Sequence, residues 1–303
     1  MKKIISLLIA LAMLLSLSIP AFAVENSGTA MITDDSLSDA YISFSEQLND
    51  LGYSANTCFE DFVSGYRGGD IDSIQHYIEV LIDTEIVNAA KTEAIVAANL
   101  QYARENSDVE NNNIMPYSVT YAWYDNIGTS SPSLPQEAKY SQYNILSTVK
   151  KGDILQETDG LVAQFTGHIA VIQGKYWDST YRQYYIRTIE AGAAGVVYGV
   201  LDDTRYDDRG IYMHYVTNAT ATNISNALTF CQNQLGKGFN WGALTGIGSC
   251  SYLSSANTWY CTELAWAAYY NQGINMYGSG IPGNIYMPAD FAASPKLTSR
   301  SIY

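Results

Sequence analysis

The chain has 303 residues and a formal charge of −14, which argues against binding nucleic acid or acidic membrane surfaces by charge. Hydrophobic residues make up 47 % and there are 25 tyrosines, which excludes a disordered chain. Four cysteines are too few for a disulfide scaffold, and three histidines without a C-x-x-C pair give a zinc site little support.

The opening "MKKIISLLIALAMLLSLSIPAFA" places two lysines before an apolar run that ends in Ala21-Phe22-Ala23. It reads as a secretory signal peptide over residues 1–23, with a mature start near Val24. The mature chain then has 280 residues and a charge of −16. No second long apolar run follows, so no integral membrane segment is expected after cleavage. The expected location is secreted, extracellular or cell-wall associated, in a bacterium.

Residues 24–113 read as a helical N-terminal region. Apolar residues recur at helical spacing in "SLSDAYISFSEQLNDLGY", and again through Ile74, Ile78, Leu81, Ile82, Ile86, Ala89 and Ala90. Asp72 or Ser73 is placed to cap the second stretch, which is one helix of about 50 Å or two shorter ones. The polar run "ENSDVENNNIMPY" marks a domain boundary, and residues 114–303 form the second domain.

Beyond it, "YNILSTVKKGDIL", "TGHIAVIQG", "QYYIRTIEA", "GVVYGV" and "GIYMHYVT" read as strands. Helical patterns follow in "TATNISNALTFCQNQLG" and "TWYCTELAWAAYYNQG". Strands first and helices later predict an α+β fold with an antiparallel sheet packed on helices.

Two places carry candidate chemistry. A hairpin centred near Ser179 puts His168 directly opposite Glu190, where a carboxylate could orient an imidazole and leave its other nitrogen as a base. An alternative is a polar pair on an exposed sheet face. Cys261 falls in the first turn of a helix capped by Asn257 or Thr258 and stopped by Gly273. First-turn amides lack intrahelical partners and carry the positive end of the dipole, and both features suit a reactive sulfur. The alternative is a small buried hydrophobe in the row Cys261, Leu264, Ala265, Ala268. Cys231 and Cys250 could form a bridge or stay as buried thiols. His214, among apolar and aromatic residues, is the rival base, and His76 lies in the N-terminal helical region.

In order and texture, "KKGDIL", "TGHIAVIQG", "IRTIEAGAAGVVYG", "GKGFNWGAL", "WYCTELAWAAYY" and "IYMPADFAASPKL" resemble the circularly permuted papain-like amidases, the YiiX- and YycO-like branch of the NlpC-type cysteine peptidases. The resemblance covers about Tyr140 to Leu297. It implies a permuted papain-like fold, with the histidine strands ahead of the cysteine helix. It also implies Cys261 as nucleophile, His168 as base and Glu190 as orienting residue, with no metal or organic cofactor. Threonine after the cysteine and the insertion-like "TGIGSCSYLSSANT" depart from the family pattern.

The expected function is a secreted cysteine hydrolase that cleaves amide bonds through a thioester, with a peptide or peptidoglycan fragment as substrate. Two alternatives are an acyltransferase or thioesterase of the lecithin–retinol type and a non-catalytic surface binding protein on the same scaffold.

Overall fold

The computed structural model describes residues 33–69, 71, 73–110, 122–130, 132–158, 167–242, 251–278 and 287–302. The expected signal peptide, the expected boundary segment after residue 110 and Cys250 all lie outside the described residues. Asp35–Tyr303 forms one compact unit.

Three helices come first. In α1 (Asp34–Asp50), Leu37, Tyr41, Phe44 and Leu48 repeat at three- and four-residue steps, and all are buried. Helix α2 (Phe59–Gly68) contributes Phe62, and α3 (Ile74–Glu110) contributes Ile78 and Ile82 to the same small core. Helix α3 is a single helix of 37 residues, about 55 Å long. Ser73 caps it, its Oγ accepting the His76 amide at 3.2 Å. Trp177 and Tyr184 pack against this core.

The sheet is a mixed product of local and distant pairing. Six antiparallel strands lie in the order β4–β3–β2–β1–β5–β8, where β1 is Ile154–Glu157, β2 His168–Asp178, β3 Gln183–Gly192, β4 Gly195–Leu201, β5 Ile211–Val216 and β8 Leu297–Arg300. Helix α5 (Asp203–Arg209) lies between β4 and β5, and α6 (Ala221–Gln232) follows β5. A short parallel pair, β6 (Gly238–Phe239) and β7 (Thr258–Trp259), leads into α7 (Cys261–Tyr270). Helix α8 (Pro288–Ala292) precedes β8. The fold is α+β, as the segregation of strands and helices implied.

The sheet buries both faces. One face, with Ile169, Val171, Ile189 and Ala191, shares a core with Leu264, Ala265 and Ala268 of α7. The other, with Leu155, Ala170, Ile172, Ile186 and Leu201, shares a core with Ile145 and Val149. Those two residues correct one expectation. "YNILSTVKKGDIL" is not one strand, because Ile145–Thr148 forms a helical turn, α4, and only Ile154–Glu157 is a strand. Ile145 and Val149 are buried while Ser147 between them is exposed, which the four-residue step of a helix allows and the two-residue alternation of a strand does not.

The β2–β3 hairpin corrects a second expectation. At its tip Asp178 pairs with Gln183 and Gly174 with Arg187, but beyond a bulge Ile172 pairs with Thr188 and Ala170 with Glu190. Gln173 is the extra residue. Gly174 supplies the bend at φ 146, a region few side chains allow. Glu190 therefore lies opposite Ala170, two residues from the expected partner. A two-residue displacement keeps the face, and diagonal neighbours are still within reach of long side chains. Without the bulge, Glu190 would oppose Val171 and point to the other face.

Candidate active site

His168 is the first residue of β2, and Cys261 is the first residue of α7. Cys261 heads the helix that packs on one face of the sheet, whereas alternation puts Glu190 with the other. They meet at His168, where the strand begins. Its Nε2 lies 2.8 Å from Oε2 of Glu190. The Cys261 side chain is near enough to interact with the same ring. All three predicted residues are thus brought together.

The electrostatics follow from burial and pairing. Burial alone would lower His168, but its bonds to Cys261 and Glu190 outweigh that and hold the imidazole well above its ordinary value. Burial would raise Glu190, but the Arg205 guanidinium and the bond from His168 hold the carboxyl well below the usual carboxylate range. A charged His168–Glu190 pair is the favoured state.

Sequence reasoning missed what supports this pair. Arg205, on α5, is fully buried between two carboxylates. Its Nη1 and Nη2 donate to Oε1 and Oε2 of Glu190 at 2.9 and 2.8 Å, and its Nε donates to Oε1 of Glu157 at 2.7 Å. Glu157 is the β1 residue directly opposite His168. Thr188 Oγ1 donates to the same Oε1 of Glu190 at 2.5 Å. Gly199 makes room, since a Cβ there would come within 2.1 Å of that oxygen. The Asp202 side chain caps α5 through the Arg205 amide at 2.9 Å. The run "LDDTRYDDRG" carried this capping signal, but an arginine among aspartates reads as a solvated helix.

The cap of α7 also differs from expectation. The N-cap is Tyr260, not Asn257 or Thr258, because Thr258 and Trp259 are paired with β6. Glu263 reaches back instead. Its Oε2 accepts the Tyr260 amide at 3.0 Å, and its Oε1 accepts the Ser251 amide at 2.7 Å. This is the carboxylate half of a capping box, legible in a glutamate three residues after the cap.

The remaining candidates stand apart. Nε2 of His214 lies 3.1 Å from Oε1 of Gln156, and burial alone lowers its pKa. His76 is exposed on α3, 3.8 Å from Glu79. Cys58 and Cys231 are free buried thiols, so the Cys231 bridge is not formed. Burial pushes the Cys231 thiol up to about 12 and raises Cys58 as well. Among the described residues no cluster is suited to a metal ion, and no helix is long and apolar enough to cross a membrane.

Comparison with family models, with curated proteins and with solved structures found no match.

The pair makes stability depend on pH in a calculable direction. His168 is raised when folded, so its contribution is full below its ordinary 6.5 and fades as pH rises through the folded value. Glu190 is lowered when folded, so its contribution is full above its ordinary 4.5 and fades as pH falls. The wild type should therefore gain most over His168→Gln between about pH 4.5 and 6.5. Melting temperatures of both proteins across pH 3–9, about the span that covers both limbs, check this. A constant difference would contradict the pairing.

Proposed function

We propose that this chain is an exported cysteine hydrolase with a permuted papain-like core, acting on an amide bond through a thioester. One observation carries the proposal: a cysteine at the first position of a helix lies beside an imidazole whose Nε2 is held by a buried carboxylate. The chain order supports the permuted reading, since the histidine and glutamate strands precede the cysteine helix.

In the proposed reaction, His168 already holds the proton of the Cys261–His168 pair, and the sulfur attacks the carbonyl carbon. The Cys261 amide, in the first turn and without an intrahelical acceptor, is placed to donate to the developing oxyanion. His168 then protonates the leaving amine, and a water activated by the same ring hydrolyses the thioester. Glu190 fixes the tautomer and stabilises the imidazolium. Cell-wall peptides are the proposed substrate class, from the export signal and the resemblance together.

A small alkylating agent tests the nucleophile. The Cys261 residue is 3 % exposed but its His168 partner retains 17 % side-chain exposure, so iodoacetamide rather than a bulky probe is the suitable reagent. In the folded protein, Cys261 should label first and His168→Ala should slow that labelling, as read by peptide mass mapping. Faster labelling of Cys58 or Cys231 would overturn the proposal. Peptidoglycan fragments screened against acyl esters then separate amidase from acyl-ester chemistry.

A further inference from the structure

The fold buries two arginines completely and treats them differently. Arg205 has two carboxylates. Arg187, on β3 and 1 % exposed, has no carboxylate partner among the described residues. Its Nε donates to Oε1 of Gln173 at 2.6 Å and its Nη2 to the Ala55 carbonyl at 3.2 Å. Its guanidinium carbon lies 3.5 Å from the ring centre of Tyr176 and 4.6 Å from that of Tyr198. Neutral acceptors and ring faces satisfy N–H groups and ease the desolvation, but they supply no counter-charge.

Arg187 lines a cavity of about 50 Å³ between the end of α1 and the tip of the β2–β3 hairpin. Ser45 and Trp177 line it too, and Ser45 Oγ and Trp177 Nε1 are buried with no hydrogen-bond partner. Asp178 also lines it, but its Oδ1 accepts the Tyr181 amide at 2.8 Å and its Oδ2 the Leu134 amide at 3.3 Å. Arg187, which no carboxylate pairs directly among the described residues, and two unused donors thus line a single small space, with the Asp178 carboxylate beside them. A water takes roughly 10–15 Å³ on this measure, so there is room for about three to five non-hydrogen atoms.

We propose that this cavity binds the carboxylate of a small ligand, with Arg187 as the counter-ion and Ser45 and Trp177 as further donors. A planar carboxylate matches the guanidinium fork. A carboxylate adds a single negative charge beside Asp178, whereas a phosphate dianion adds two. The site is separate from the Cys261–His168 pair and does not depend on the proposed hydrolysis.

Calorimetric titration of the full chain tests this, using sodium acetate, N-acetylglycine and sodium phosphate against sodium chloride at equal ionic strength. Acetate should bind at one site and raise the melting temperature saturably, and phosphate should do no more than chloride. Matching behaviour of N-acetylglycine would identify a chain-terminal carboxylate as the ligand, and acetate alone a free acid; either sustains the site. Ser45→Val narrows the cavity without touching Arg187, and Arg187→Met removes the charge. Each should weaken acetate by about tenfold or more. If Arg187→Met fails to fold, Ser45→Val decides. Acetate no better than chloride, an unchanged affinity in Ser45→Val, or binding of phosphate alone would each overturn the proposal.

Discussion

Cys261→Ala and His168→Ala should each cut hydrolysis of peptide amides or acyl esters by about 10⁴-fold or more, because nucleophile and base act as a unit. Neither change should alter substrate affinity much. Glu190→Gln should be milder in turnover, on the order of 10–100-fold, since it keeps a shape and an acceptor for the ring. It carries a further cost that the pair alone does not suggest. Glu190 is the two-oxygen acceptor of a buried guanidinium, so removing its charge also lowers the melting temperature. Steady-state kinetics beside thermal melts separate the two effects. An active Cys261→Ala protein would end the hydrolase reading, and an inactive His214→Ala with an active His168→Ala would move the base to β5.

Arg205→Met should be the most destabilising single change outside the hydrophobic core. It leaves Glu157 and Glu190 buried, close together and without their shared cation. Breaking a buried ion pair from one side typically costs about 3–5 kcal/mol. Activity should fall as well, because an unneutralised pair of carboxylates tends to take up a proton, and a protonated Glu190 no longer supports the imidazolium. Adding Glu157→Gln to Arg205→Met removes one of the orphaned charges and should restore part of the stability. Urea unfolding of the single and double variants measures this, and additive losses would show that the three groups do not form one network.

Much of the fold was legible because its signals are local. The strand residues of β2 to β5 are β-branched or aromatic runs closed by glycine, and the α1 residues keep helical spacing. The meeting of His168 and Glu190 was legible for a different reason: a face is set by parity. Placing the hairpin centre near Ser179 put the pairing two residues out, and an even error leaves His168 and Glu190 on one side. The bulge was not legible, because Gly174 is one glycine among many. Arg205 and Glu157 were not legible either. Their burial depends on α5 folding back over β1 and β3, which no short window contains.

The bulge couples two parts of the molecule that seem unrelated. A side chain at position 174 would strike Cys58, 2.7 Å from Cβ to Cβ, at the start of α2, so the extra residue of β2 sits directly beneath the N-terminal helices. Nearby, the Glu60 carboxylate accepts the Lys175 amide at 3.2 Å. The helices therefore clamp the one irregularity that brings Glu190 into phase with His168, roughly 20 Å along the strand. The helical layer works like a thumb on a string, since the note sounded at one end depends on where the string is stopped at the other.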